Sequence, residues 1–241
     1  KFTDLNSILN NNFEKIYNNF QFDLIKEIKV LENFDHNYIS LTNGVLSSSN
    51  FDYEDKNKIE IKDFKITDSN SLTITNNLIL LNNALSSGGY SLKVSDNYKF
   101  KKPLIIYNYF TKNLKNVILN NSNYIQLNKG SELTVIEYTI DYSQNNFIKN
   151  TLDNVSLDNN ANYKGIFIQN SKCNGHFYRY TKASLENNSN YQNFTLTSGL
   201  KFNKSEIEVN LNKENSSCSI LSALNINHNE HQEIKTRINH Y

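Results

Sequence analysis

The stretch Glu206-Ile207-Glu208-Val209-Asn210-Leu211 alternates polar and apolar residues without a break. Ile207, Val209 and Leu211 therefore point one way, and Glu206, Glu208 and Asn210 the other. A period of two is the mark of a β-strand with one buried face. The same texture continues outward in both directions. Downstream lie Ser219–Ile226 and Ile234–Ile238. Upstream lie Asn193–Thr197, His176–Tyr180, Tyr163–Ile168, Leu133–Ile140, Tyr124–Leu127, Asn116–Leu119, Pro103–Phe110 and Tyr90–Val94. From Tyr90 onward the chain reads as strands alone, at fairly steady intervals. That leaves a sandwich, a closed barrel or a β-solenoid.

Turn chemistry bears on the choice. The 241 residues include 45 Asn, only seven Gly and a single Pro. Tight hairpins prefer Gly at their centre, so a hairpin-rich fold is disfavoured. Asn tolerates the left-handed backbone that a solenoid corner needs. This tilts the balance toward a solenoid and leaves the other two open.

Before Tyr90 the pattern differs. Leu5, Ile8, Leu9, Phe13, Ile16 and Phe20 recur at helical spacing, with Thr3 or Asp4 placed to cap the first turn. Tyr38–Val45 reads as a strand running into a turn, and Lys58–Ile61 as another short strand. Leu78–Leu85 reads as a helix, and the following Gly88-Gly89 predicts its C-cap and a sharp turn.

The chain carries 25 Lys+Arg against 24 Asp+Glu, which excludes a partner held by overall charge, such as nucleic acid. Aromatic residues at 12% argue for a folded chain rather than a disordered one. The Asn excess reads as base-composition bias, so single asparagines carry little functional signal. No apolar run approaches the roughly 18–20 residues of a membrane span. The absence of Met, even at position 1, predicts that the true start is missing.

The densest polar cluster is His228, Glu230, His231, Glu233 and His240. On a strand His231 and Glu233 share a face, and His240 lies on the other. His231, Glu233 and His240 are the candidate metal ligands, although a metal needs further groups from neighbouring coils. Polar strand faces with hydrogen bonds between coils are the favoured reading, and no metal site is assigned. Cys218 reads as a small buried hydrophobe in a strand, and Cys173, beside Asn174-Gly175-His176, as an exposed turn residue. A Cys–His couple needs an orienting third group, and the sequence specifies none. The carboxylates are scattered, so no glycosidase pair stands out, and no phosphate-binding glycine loop is present. No catalytic residue is assigned.

Five segments, in order, resemble the SufB/SufD family, and its SufD-type members in particular. Lys1-Phe2-Thr3-Asp4-Leu5 is similar to the interior of the W-[KR]-[YF]-T-[ND]-L opening. Leu81-Asn82-Asn83-Ala84-Leu85, followed by Gly89, resembles LN-x-AL…G, and Lys102-Pro103-Leu104-Ile105-Ile106 resembles the next strand. Phe202–Leu211 is similar to the L-S-R-[ND]-x-x-x-x-L coil. Glu230–His240 resembles Q-H-x-D-x-x-T-x-[IV]-x-H, with Glu230 in place of Gln and Glu233 in place of Asp. The C-T-x-P segment of SufB has no counterpart around Glu137-Tyr138-Thr139.

The resemblance implies a mainly β fold: a right-handed parallel β-helix, a single-stranded β-solenoid, over 89–241, preceded by a small helical or α+β cap over 1–88. It also implies that the β-helix continues beyond Tyr241, taking the family's cluster-site His and its SufC-docking region with it. The implied role is a scaffold subunit of SUF iron–sulfur cluster assembly that pairs with a SufB-like subunit and acts with the SufC ATPase, with a part in iron acquisition. Such a subunit is not itself an enzyme. Iron or an iron–sulfur cluster then belongs to the complex, no cofactor is assigned to these residues, and neither nucleic acid nor a membrane is a partner. The expected compartment is the cytoplasm, or a plastid-type organelle in a eukaryote. The competing reading is a secreted β-solenoid that binds or cleaves polysaccharide.

Overall fold

The computed structural model describes residues 15–16, 31–64, 76–169 and 173–241. Seven non-glycine residues among them take a left-handed backbone, and all seven are asparagines: Asn43, Asn97, Asn116, Asn160, Asn188, Asn215 and Asn229, with φ between 50° and 66°. Their side chains are short and polar enough to tolerate this region, where a β-branched residue would clash.

Five equivalent corners are filled in succession by Asn97, Gly130, Asn160, Asn188 and Asn215. Each is the third residue of a four-residue turn; Ser131, Ala161 and Ser189 close theirs by donating to the carbonyls of Asn128, Asp158 and Glu186 at 3.0–3.2 Å. The corner N–H then reaches the next coil. Asn97, Gly130, Asn160 and Asn188 donate to the carbonyls of Lys129, Asn159, Asn187 and Glu214 at 2.7–3.1 Å. The abundant Asn thus does the work that scarce Gly cannot.

Between corners run the strands β1 (Lys15–Ile16), β2 (Asn37–Thr42), β3 (Val45–Asn50), β4 (Ile59–Asp63), β5 (Gly88–Val94), β6 (Leu104–Phe110), β7 (Val117–Leu127) and β8 (Glu132–Asp141). They continue with β9 (Phe147–Leu157), β10 (Asn162–Gln169), β11 (Cys173–Leu185), β12 (Asn190–Ser198), β13 (Leu200–Leu211), β14 (Ser217–Asn225) and β15 (His231–His240). Strands β6, β8, β10, β12 and β14 stack in parallel on one side, and β5, β7, β9, β11, β13 and β15 on the other. The result is a parallel β-solenoid of about five turns. The antiparallel hairpin β2–β3 joins the two sides at the first coil. Later coils repeat every 26 to 33 residues, from Leu185 beside Leu211 to Val94 beside Leu127.

Inside, identical side chains stack. Leu127, Leu157, Leu185 and Leu211 form one row. Ile125, Val155, Ala183 and Val209 form the next, as the alternation at Ile207–Leu211 anticipates. Each fully buried leucine contributes about 1.5–3 kcal/mol. Facing them, the Tyr163 and Tyr191 rings stack at 5.5 Å. A second apolar cluster, Phe110, Leu114, Leu119, Phe147, Cys173 and Leu200, fills the opposite corner.

The helix α1 (Asn77–Leu85) packs on the outer face of the β7–β9–β11 side. Asn76 caps it by accepting from the Leu78 N–H, and Leu78 and Ile79 bury against Leu152, Tyr178 and Tyr180. Asn82 is fully buried: its amide donates to the carbonyls of Asn121 and Asn150, and its oxygen accepts from Ser122 Oγ at 2.7 Å. The LN-x-AL resemblance thus falls on the helix's polar anchor.

Several expectations need correction. Gly88-Gly89 does not cap α1; Ser86 does, in an extended conformation. The glycines open β5, and Gly89 (φ +117°) lies so close to β7 that a Cβ would sit 1.7 Å from the Ser122 carbonyl oxygen. Lys15–Ile16, inside the predicted first helix, form a strand beside Val117–Ile118; the rest of that segment lies outside the described residues. Val117–Leu119 and Tyr124–Leu127, read as two runs, belong to one strand, β7, and Asn116 is the left-handed residue before it. Strand β9 matches no predicted run.

The corner reading predicts that Asn188→Gly leaves stability unchanged, while Asn188→Ala lowers it by about 1 kcal/mol through the left-handed penalty. Urea unfolding of both variants checks this; equal stability would contradict it.

Candidate functional site: a charged cluster inside the solenoid

Between the two apolar ends of the coil the interior turns polar. Lys149, Thr151 and Asp153 alternate along β9, each on the inward side, with Phe177, Arg179 and Thr181 beside them on β11. Glu137 faces them from β8, between Ile106 and Phe167.

Arg179 crosses the interior. Its Nη2 lies 2.6 Å from both Glu137 carboxylate oxygens, its Nε is 3.1 Å from Asp153 Oδ2, and its guanidinium sits 4.4 Å from the centre of the Phe167 ring. Glu137 Oε1 also accepts from Asn108 Nδ2 at 2.8 Å and from Lys149 Nζ at 3.3 Å. Asp153 Oδ1 accepts from Asn123 Nδ2 at 2.7 Å. Lys149 lies between the Phe110 and Phe177 rings, 5.6 and 5.5 Å from their centres. Its side chain is only 4% exposed.

Isolated charges at such a depth would cost several kcal/mol each, so mutual pairing is a condition of folding. Burial alone would raise the Glu137 pKa, but the charges of Arg179 and then Lys149 outweigh it and hold the group below its ordinary value. For Asp153 burial wins over Arg179, and its pKa is raised. Burial lowers the Lys149 pKa against the pull of Glu137.

A cavity of about 60 Å³ adjoins the cluster, lined among others by Glu137, Lys149, Arg179, Thr195, Thr197 and Asn203. It has room for a few water-sized particles. Each carboxylate is already engaged by cations and amides, an arrangement suited to holding the two sheets together rather than to acid–base turnover.

The residues singled out from sequence lie elsewhere. His231 is exposed at the start of β15, its Nε2 3.7 Å from Glu233 Oε2 and its ring stacked on Phe202 at 5.2 Å. Glu233 also lies 3.4 Å from Lys204 Nζ. His240 is exposed at the far end of the strand, beside Leu211. His228 is exposed in the preceding turn, and Glu230 accepts from the Asn227 N–H. Among the described residues, no three His, Cys, Asp or Glu side chains are grouped to hold a metal ion. Cys173, expected on an exposed turn, is instead 4% exposed in the second apolar cluster, where burial raises its thiol pKa. Cys218 is half-buried in β14 against the main core.

Residues 109–241 match the family model described as SUF system FeS cluster assembly, SufBD core domain. The chain belongs to this family. The match spans more than half of the chain and runs from the end of β6 through β15, so it includes Glu137, Lys149, Asp153 and Arg179. No curated protein matches the chain significantly. Within the SufBD core, the Phe202–Leu211 and Glu230–His240 resemblances fall on β13 and β15, which pair in register from Phe202 beside His231 to Leu211 beside His240.

Glu137→Gln is predicted to destabilise the fold by about 3–5 kcal/mol at neutral pH, because Lys149 and Arg179 lose their shared counter-charge. The folded Glu137 pKa is lowered from an ordinary 4.5. Its contribution is therefore full above the unfolded value and vanishes as pH falls through the folded one. Asp153 works in the opposite sense: its raised pKa is a cost that grows as pH rises above 3.8. Chemical denaturation across the acid range should show the gap between wild type and Glu137→Gln closing as pH falls. A gap independent of pH would contradict the ionic account.

Proposed function

We propose that this chain is the SufD-type subunit of a SUF iron–sulfur assembly complex, serving as a scaffold rather than as an enzyme. It pairs with a SufB-like subunit and acts with a SufC-type ATPase, and its complex takes part in iron acquisition. The observation that carries the reading is the SufBD core match over residues 109–241, together with the five ordered segments. The SufD assignment rests on Glu137-Tyr138-Thr139 standing where the sister subunit's C-T-x-P segment would fall. There the inward group is a carboxylate bound by Arg179, not a thiol. A non-enzymatic role is supported by the cluster itself, whose carboxylates are engaged by neighbouring cations and amides. The assigned compartment is the cytoplasm, or a plastid-type organelle in a eukaryote.

Co-expression of the full-length protein with SufB-like and SufC-like subunits tests the proposal. One complex containing all three should persist through size-exclusion chromatography. Separate elution of this subunit under conditions where the other two associate would overturn it.

A further inference from the structure

The cavity beside the charged cluster has donors to spare. Lys149 Nζ carries three N–H groups and, among the described residues, has one acceptor, Glu137 Oε1, at 3.3 Å. That oxygen already accepts from Asn108 at 2.8 Å and Arg179 at 2.6 Å, so it is a shared and distant partner for the ammonium. The aromatic rings of Phe110 and Phe177 flank Lys149, and they supply no lone pair. Asn203, 6% exposed, lines the same cavity, and its Nδ2 has no hydrogen-bond partner among the described residues. Lys149, Phe177 and Asn203 stand side by side on β9, β11 and β13, so the ammonium and the amide open into one stretch of the interior.

A buried donor left unmade costs about 1–3 kcal/mol, and more when it is charged. The two carboxylates nearby cannot relieve that cost, because Arg179, Asn108 and Asn123 already occupy them. The missing partner must bring acceptors and fit a space of about 60 Å³. Its charge should oppose that of the ammonium, whose nearest carboxylate, Glu137, is shared with Arg179.

We propose that this cavity is a binding site for a small inorganic anion of about halide size, with Lys149 as its principal ligand and the Asn203 amide, two strands along on the same side of the coil, as the second. Binding completes the interior of the coil and stabilises it by mass action. The site is lined by this chain's own residues, so its test needs no assembly partner.

Bromide is a suitable probe because it is halide-sized and scatters anomalously. Crystals grown in sodium bromide should show an anomalous peak in the cavity within hydrogen-bond distance of Lys149 Nζ. In solution, the unfolding temperature should rise in sodium bromide relative to sodium gluconate at equal ionic strength, gluconate being too large to enter. Asn203→Asp, which places an acceptor where the anion's donor stood, should abolish that rise, as should Lys149→Met. Should Lys149→Met fail to fold, Asn203→Asp and the wild-type crystal still decide the matter. Water alone in the cavity, a bromide peak confined to the outer surface, or an undiminished bromide-dependent rise in Asn203→Asp would overturn the proposal.

Discussion

Every coil must return to a point directly above its predecessor, because the parallel ladder between coils satisfies nearly all of the backbone N–H and C=O groups at once. The left-handed corner residue makes that return possible. At Asn97, Gly130, Asn160 and Asn188 it both reverses the chain and donates its own N–H to the next coil. Stacked leucines, stacked tyrosines and the charged cluster all follow from it: once the corners coincide, residues at equivalent positions meet whatever their chemistry.

That constraint gives the interior two characters. Next to the asparagine corners it is a ladder of Leu, Ile and Val whose burial supplies most of the stabilisation. Toward the other corner it holds four charges, which contribute little net stability compared with well-packed hydrocarbons. What they do contribute is geometry. Arg179 on β11 grips Glu137 on β8 and Asp153 on β9 together, fixing how the two sheets of the SufBD core face each other. The outer face of the β7–β9–β11 side is fastened by another polar device, the buried Asn82 of α1.

Much of the architecture was legible in the residues because most strands hide an apolar face. The alternation at Ile207, Val209 and Leu211 and the general use of Asn for corners both correspond to what the structure holds. Strand β9 escaped for a physical reason: its inward residues Lys149, Thr151 and Asp153 are polar, so its pattern does not look half-buried. The candidate site was hidden by the same fact. Its carboxylates come from β8 and β9, its guanidinium from β11, and no spacing in the chain announces their meeting. One signal was available. Of the 25 basic residues only Arg179 and Arg237 are arginine, and Arg179 interrupts the aromatic run Phe177-Tyr178-Arg179-Tyr180. In a chain that uses Lys almost everywhere, an Arg in such a strand points to a need for its planar, bidentate fork. The His231–Glu233 cluster drew attention because its residues are adjacent in sequence, but adjacency on an exposed strand brings no convergence.

The claim that most depends on this geometry is that Glu137 and Arg179 act as one unit across the interior. A double-mutant cycle with Glu137→Gln, Arg179→Met and the combined variant, read by chemical denaturation at neutral pH, measures it directly. The account predicts that the double variant loses less stability than the two single losses added together, by about 2 kcal/mol or more, because each single change strands the other's buried partner. Strict additivity would contradict it.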